Sequence, residues 1–126
     1  MKKIIYTEKA PAPIGPYSQG VMFGNTLYTS GQIAIEPTSG NLILSDIESE
    51  TEQVMQNLRA VLEAAEMTFA DVVKATIFIS DMSNFQKINT VYGKYFNAEA
   101  APARETVQVS VLPKSVNVEI SMIALK

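Results

Sequence analysis

Apolar and polar positions alternate in short runs near the start of the chain and then change to helical spacing. The runs at 21–23 and 27–29 flank Gly24-Asn25, which suits a hairpin turn, so they predict two antiparallel strands. Ser49-Glu50-Thr51-Glu52 fits a capping box and predicts the start of a helix. The apolar positions that follow share one helix face: Val54, Leu58, Val61, Leu62 and Ala65.

The second half of the chain predicts a buried strand, another helix and two closing strands. Residues 72–79 form an almost continuous apolar run, which is typical of a strand covered on both faces. A second capping-box sequence at 83–86 opens a helix, and strands follow at 103–112 and 116–125. The order β-β-α-β-α-β-β predicts one α+β domain over residues 1–126, a mixed β-sheet with both helices packed on one face.

The two closing strands raise the question of what covers the other face of the sheet. Three valines alternate with Arg104 and Thr106 in the first strand, and aliphatic residues alternate with Glu119 in the second. If the helices cover the valines, Arg104 and Glu119 share a polar, lightly charged face. We expect that face either to meet solvent or to line a cleft against a neighbouring subunit.

Composition excludes several chemistries. The 126 residues contain no His, Cys or Trp, which excludes His-dependent triads, thiolate nucleophiles, disulfides and metal sites built on His or Cys. Charged residues make up 18%, against about 25% in an average domain. So low a charge predicts that part of the surface is covered by another copy of the chain.

Net charge and targeting signals limit the partners and the location. The net charge is −3, whereas nucleic-acid binding normally requires a basic stripe, so no nucleic-acid partner is expected. The longest uncharged stretch, 10–35, holds three prolines and four glycines and is no membrane helix. We expect a soluble, cytoplasmic protein with no membrane partner.

Arg104 and Glu119 are the main candidates for chemistry. A guanidinium at a strand start binds a carboxylate through two parallel hydrogen bonds. The alternative for Arg104, equally favoured by the strand pattern, is an ion pair with Glu119 or Glu105. Glu119 lies between two aliphatic residues, where burial raises a carboxyl pKa toward the range useful for acid–base catalysis. Its alternatives are a salt bridge or plain exposure.

Two loop segments are weaker candidates. Tyr17 lies in a stiff Gly-Pro loop, where an aromatic ring either lines a cleft or packs in the core. Gly31 permits close approach of the backbone to a ligand. Ser30, without a His or a suitably spaced Lys, is a poor nucleophile.

Several segments together resemble the RidA (YjgF) family of imine and enamine deaminases. The resemblance runs from about residue 10 to the C-terminus, and the order and spacing of the pieces are more specific than any one of them. The pieces are Ala12–Gly20, Thr29–Gln32, Phe85–Asn89 with Val91-Tyr92, Pro102–Arg104, Leu112-Pro113 and Val118–Ile120.

The resemblance implies a chorismate-mutase-like fold and a homotrimer with three clefts between subunits. It implies hydrolysis of the small 2-imino acids 2-iminobutanoate and 2-iminopropanoate to 2-oxo acids and ammonia, without cofactor or metal. Arg104 matches the anchor of the substrate carboxylate, Glu119 the acid that handles the attacking water, and Tyr17 a cleft hydroxyl from the partner side. Three further positions match the surroundings of the ligand: Ser30, Gly31 and Asn89.

Two residues depart from the family pattern. Thr106 stands where many relatives carry Cys, and Glu105 stands where a small residue is usual. Thr106 keeps a small polar group on the face of Arg104, so a contact with substrate is still expected, whereas a role needing thiol reactivity is not. Glu105 points away from Arg104, and we expect little effect on catalysis.

Two other functions are compatible with these residues. A regulatory module that binds small 2-oxo acids without turnover needs the same arginine, and the sequence does not separate it from a deaminase. RNA cleavage, a label attached to some relatives, is disfavoured by the net charge and by the lack of His.

Overall fold

Six strands and two helices form largely where the hydrophobic pattern predicts them. The computed structural model describes residues 1–126. The strands are β1 (Lys2–Ile5), β2 (Gly20–Phe23), β3 (Thr26–Thr29), β4 (Val72–Ile79), β5 (Ala103–Gln108) and β6 (Val118–Leu125). The helices are α1 (Ile47–Ala64) and α2 (Phe85–Gly93). Strand β1 and the shorter extent of β5 were not predicted.

The strands form one mixed sheet in the order β1-β2-β3-β6-β4-β5. Only β4 and β5 pair in parallel, and the other neighbours are antiparallel. Both helices pack on one face of this sheet, which confirms the predicted α+β architecture. Neither helix is long and apolar enough to cross a membrane.

The core lies between the helices and the sheet. Helix α1 buries Val54, Leu58, Val61 and Leu62 completely, as the 3.6-residue period predicted. Opposite them lie the inward-facing residues of β4 and β6, while α2 adds Ile88 and Tyr92. At about 25 cal/mol per Å² of buried apolar area, this layer is the main source of stability.

Both predicted capping boxes are wrong, because neither Ser49 nor Ser83 is an N-cap residue and an aspartate upstream of each accepts the capping hydrogen bond. Asp46 is the N-cap of α1 and accepts a 2.7 Å hydrogen bond from the Ser49 backbone N–H. Asp81 caps a short 3-10 turn, Met82–Asn84, that leads into α2, and accepts from the Ser83 N–H. Each aspartate accepts from the backbone N–H of the serine with which the predicted box begins, so that serine lies inside the first turn and is not the cap.

The face of the sheet away from the helices, here called the open face, carries the predicted polar positions Glu119 and Ser121 of β6 but is largely apolar over the strands β1 to β3. Strand register aligns Ile4, Val21, Tyr28 and Ile123 in one row across four strands. The exposed fraction is 52% for Ile4 and 49% for Tyr28. A contiguous apolar surface of this kind is typical of a site where another molecule docks.

Strand β5 presents its two sides the opposite way from the prediction. Parallel pairing sets Arg104 beside Ala75 and Thr106 beside Ile77, and these β4 residues are buried under the helices. Arg104 and Thr106 therefore lie on the helix side, while Val107 lies on the open face. Alternation shows which residues share a face, but on an edge strand it does not show which face meets the helices.

A buried carboxylate joins α1 to the beginning of β6. Glu50 is 0% exposed and accepts hydrogen bonds from the Asn117 backbone N–H (2.7 Å) and side-chain Nδ2 (2.8 Å). Asn117 follows a turn in which Lys114 and Ser115 both have a φ of 56°. Non-glycine residues in this left-handed region are strained and persist only where the surroundings hold them. We infer that Glu50 helps to hold this turn.

The Glu50→Ala substitution removes the only hydrogen-bond acceptor of the Asn117 backbone N–H and of its side-chain Nδ2. Because two partly buried donors lose their acceptor, the free energy of unfolding is expected to fall by about 2 kcal/mol. Urea unfolding measures the loss. The matched control is Glu48→Ala in the same helical turn, because Glu48 is exposed and its loss is expected to change stability by less than about 1 kcal/mol. If the two variants lost the same stability, the inference that Glu50 holds this turn would be contradicted.

Candidate functional site

A cleft of about 540 Å³ opens beside Glu119. Three of the predicted site residues line it together with Glu119: Tyr17, Ser30 and Gly31. Much of the remaining wall is apolar and comes from Pro11, Ala12, Ile14, Ile33, Ile35 and Pro113. We call this group the Glu119 cleft; its size and mainly apolar wall suit a small organic ligand.

Close backbone pairing brings Ser30 and Gly31 to the cleft. The chain leaving β3 runs along β6, where Gln32 and Ile120 exchange backbone hydrogen bonds of 2.8 and 3.1 Å. A Cβ atom at Gly31 would lie 2.7 Å from Cδ of Glu119. The absence of a side chain at Gly31 lets the Glu119 carboxyl lie directly against the backbone.

Ser30 lines the cleft, but its hydroxyl proton is already donated in a hydrogen bond within the chain. Its Oγ donates to the Ser18 carbonyl, and its backbone N–H donates to the Gln19 carbonyl at 2.9 Å. A serine hydroxyl has one proton and two lone pairs. In this arrangement Ser30 can offer a ligand an acceptor but no donor.

The loop that carries Tyr17 is fixed by Gln19. The Gln19 side chain is 1% exposed; it accepts from the Thr7 N–H and donates to the carbonyls of Thr7, Ala10 and Pro11. Tyr17 itself is 52% exposed, and its hydroxyl accepts a long hydrogen bond from the Ile14 N–H. Tyr17 therefore lies at the rim of the cleft and not in the core.

The Glu119 carboxyl is half-buried and has no ion-pair or hydrogen-bonding partner in its own chain. Partial burial disfavours the charged form and raises the pKa of Glu119 above its ordinary value of 4.5. The direction agrees with the prediction from sequence. A carboxyl of this kind is suited to exchanging a proton with a ligand or water.

Arg104 lies on the helix side of β5 and is free of any carboxylate in its chain. Glu105 points to the open face and pairs instead with Lys74, with Nζ and Oε2 3.3 Å apart. No carboxylate oxygen lies within 4.0 Å of the Arg104 guanidinium, so the predicted alternative of an ion pair with Glu105 or Glu119 is wrong within one chain. Arg104 Nη1 donates to Asn89 Oδ1 at 2.6 Å.

Thr106 lies next to Arg104 on the same side of β5. A narrow crevice there is lined by Arg104, Asn89 and Thr106 with residues of β4 and α2, and we call this group the Arg104 edge. The Thr106 Oγ1 is buried and has no hydrogen-bond partner. An unpaired buried hydroxyl costs about 1–3 kcal/mol, so a polar ligand atom at this point would stabilise it.

The predicted site residues thus fall into two groups that a single chain does not bring together. Strand β4 lies between β5 and β6, and Glu119 faces the open side whereas Arg104 faces the helices. The prediction that both lie on one polar face of adjoining strands is therefore wrong. Although β5 and β6 follow one another in the chain, they are not neighbours in the sheet, and the sequence does not show that β4 lies between them.

Sequence reasoning missed three residues beside these groups. Lys114 lines the Glu119 cleft from the strained turn, and no sequence pattern distinguished it. Phe85 and Tyr92 were assigned to the apolar side of α2, yet their rings lie under the Arg104 guanidinium. Phe85 lies four residues before Asn89 and Tyr92 three residues after it, so helical spacing alone could have placed the three side chains on one face of α2.

No cluster of three or more Asp, Glu, His or Cys side chains is arranged to hold a metal ion.

With two helices on a six-stranded mixed sheet, the fold is that of the RidA proteins. The RidA structure from the Antarctic bacterium Psychrobacter sp. PAMC 21119 superposes with a TM-score of 0.94 at 41% identity, covering 98% of this chain and 99% of that one.

Sequence comparison leads to the same group. Residues 7–126 match the family described as Endoribonuclease L-PSP. A RutC family protein of Pyrococcus horikoshii is 50% identical over 100% of this chain and 99% of its own length. The bovine 2-iminobutanoate/2-iminopropanoate deaminase is 44% identical over 100% of this chain and 91% of its own length. The chain belongs to this family of RutC and RidA proteins, which confirms the resemblance.

Gly31→Ala is expected to push the Glu119 carboxyl out of its position, because the new methyl group would lie within 3 Å of three Glu119 atoms. Since Glu119 is a flexible side chain, the free energy of unfolding should fall by only about 1 kcal/mol. Crystal structures of the variant and the parent show the displacement directly.

Gly93→Ala is the matched control, because a Cβ atom at Gly93 meets nothing within 4 Å. This change should leave Glu119 in place and keep or slightly raise stability. An unmoved Glu119 in the Gly31→Ala structure would contradict the steric argument.

Proposed function

We propose that this protein hydrolyses small 2-imino acids, such as 2-iminobutanoate and 2-iminopropanoate, to 2-oxo acids and ammonia. The observation that carries the proposal is the Arg104 guanidinium, which is held by neutral groups and paired with no carboxylate of its own chain. Such a group is a ready anchor for an organic carboxylate. The bovine relative named 2-iminobutanoate/2-iminopropanoate deaminase supports the assignment.

The complete site is formed by two copies of the chain. Arg104 and Glu119 face opposite sides of one sheet, so they act on one small molecule only if a neighbouring copy supplies one of them. The apolar open face offers the surface on which such copies associate. The family resemblance favours a homotrimer with three equivalent clefts, and cyclic symmetry makes every interface alike.

The mechanism begins with positioning of the substrate. Arg104 binds the carboxylate with its remaining N–H donors, and Asn89 keeps the guanidinium in place. The C=N carbon next to the carboxylate is thereby fixed beside Glu119 of the adjoining copy. Such positioning makes attack by a bound water an effectively intramolecular event. Tyr17 closes the rim of the cleft, and the backbone at Gly31 lets the substrate lie close to Glu119.

Glu119 then moves the protons. Its carboxylate accepts a proton from water as the oxygen adds to the C=N carbon, and the proton passes to the substrate nitrogen. The C–N bond of the tetrahedral intermediate then breaks as the hydroxyl proton passes through the Glu119 carboxyl to the amine nitrogen, so that nitrogen leaves as ammonia and the 2-oxo acid remains. Ser30 can accept a hydrogen bond from the nitrogen. No cofactor or metal is required.

The alternative functions make different demands on the protein. A sensor of 2-oxo acids would bind them tightly and leave imines unconverted. RNA cleavage, which the family description names, normally relies on a basic surface. The chain has a net charge of −3 and no His, so imine hydrolysis fits its chemistry better.

A threonine dehydratase that releases 2-iminobutanoate provides the direct test. The protein is expected to accelerate loss of the imine, and Arg104→Ala and Glu119→Ala should each lower kcat/KM about a hundredfold. Arg59→Ala is the control, because Arg59 lies on α1 over Phe69 and Tyr95, outside both groups. Full activity in either site variant would refute the role of that residue.

Mixing the two inactive variants tests the shared site within the same experiment. After joint unfolding and refolding, about one site in four should combine an intact Arg104 with an intact Glu119 from different copies. Recovery of about a quarter of the activity is expected. If the mixture stays inactive although mixed oligomers form, both residues act from the same copy. Oxo-acid binding without imine loss would favour the sensor.

The pH dependence of the reaction reports on Glu119. Only its ionised form accepts a proton, so kcat/KM should fall as the pH drops through the pKa of Glu119. Burial raises that pKa above 4.5, which places the midpoint of the acid limb above pH 4.5. Initial rates, corrected for spontaneous hydrolysis, give the midpoint. A midpoint at or below 4.5 would contradict the role of burial.

A further inference from the structure

The Arg104 guanidinium rests on one stripe of α2. Its Cζ atom lies 5.1 Å from the centre of the Tyr92 ring and 5.7 Å from that of Phe85. Asn89, between these two residues in the helix, accepts the Nη1 hydrogen bond at 2.6 Å. Residues 85, 89 and 92 share one helix face because they are spaced by four and three residues.

Tyr92 is the most firmly held part of this stripe. It is 5% exposed, and its ring packs on Phe96 with centroids 4.7 Å apart. Phe96 packs in turn on Phe69 at 5.4 Å. The Tyr92 ring therefore packs into an aromatic cluster that belongs to the core. The Arg104 guanidinium, which lies over this ring, is held at a defined position relative to the sheet.

The stripe binds the cation without neutralising it. Aromatic rings attract a guanidinium through the negative face of the π-system and leave its charge in place. A carboxylate at the same position would compete with an anionic ligand. Burial raises the pKa of Tyr92 to about 12, so its hydroxyl stays neutral, and that hydroxyl has no hydrogen-bond partner. Only the ring of Tyr92 contacts Arg104.

We propose that Tyr92 is the positioning residue of Arg104: with Phe85 and Asn89 it forms a neutral seat that fixes the guanidinium and leaves its other N–H donors free for a carboxylate. The carboxylate affinity of the site then depends on the aromatic ring of Tyr92 and not on its hydroxyl. This inference rests on the proposed function for the identity of the ligand, but the seat itself can be tested without ligand.

The ligand-free test uses the arginine side-chain signals in a nitrogen–proton NMR spectrum. The chain contains only two arginines, Arg59 and Arg104, so two Nε–H signals are expected, and Arg59→Lys identifies which is which. Tyr92→Leu should remove the ring-current shift of the Arg104 signal and leave the Arg59 signal in place. Tyr92→Phe, which keeps the ring, should leave both signals nearly unchanged.

Binding of 2-oxobutanoate, measured by calorimetry on the same full-length proteins, is the second readout. Tyr92→Leu should raise Kd about five- to thirtyfold, whereas Tyr92→Phe should change it less than about twofold. In kinetics the loss should appear mainly in KM, because Tyr92 does not touch the reacting atoms. If Tyr92→Leu does not fold, Phe85→Leu tests the other ring of the seat, since Phe85 is only half-buried.

Two results would contradict the proposed positioning role of Tyr92. One is an Arg104 signal and a Kd in folded Tyr92→Leu that match the parent. The other is a Tyr92→Phe variant as weak as Tyr92→Leu, which would assign the effect to the hydroxyl. If the parent neither binds 2-oxobutanoate nor accelerates loss of the imine while the Arg104 signal moves as expected, the proposed function is wrong and the positioning role of Tyr92 is supported.

Discussion

One unpaired guanidinium at the edge of the sheet is the constraint on which the functional interpretation depends. The nearest acid in sequence to Arg104, Glu105, points to the opposite face of the sheet and pairs with Lys74. Neutral groups of α2 hold Arg104 instead. Its charge is therefore preserved for an external anion, because neither an amide nor an aromatic ring satisfies it as a carboxylate would.

Sheet geometry imposes the second constraint. Because β4 separates β5 from β6 and successive side chains point to opposite faces, the cation and the carboxyl of the proposed reaction are kept apart in one chain. This separation keeps the two groups from pairing with each other within one chain. The proposed shared site therefore makes the proposed activity depend on association of two copies of the chain.

The Glu119 cleft depends on close packing at a few points away from the reacting groups. Gly31 has no side chain that would displace Glu119, and Gln19 fixes the loop that forms one wall. The buried Glu50 carboxylate holds the residue after the strained turn that carries Lys114. The contacts of Gln19 and Glu50 are polar and buried, which makes both of them costly to break.

The sequence by itself determined both helices, five of the six strands, the core face of α1 and, through an ordered set of short segments, the family. These features are local, since periodicity and spacing follow from the chain alone. The candidate residues were also identified, including Arg104 and Glu119. Only the tertiary structure decided how they are arranged. Alternation in β5 correctly grouped Arg104 with Thr106, but the parallel register with β4 placed that group under α2 and turned the valines outward. The order of strands in a sheet and the face an edge strand presents depend on contacts between residues distant in sequence, and no local pattern encodes them.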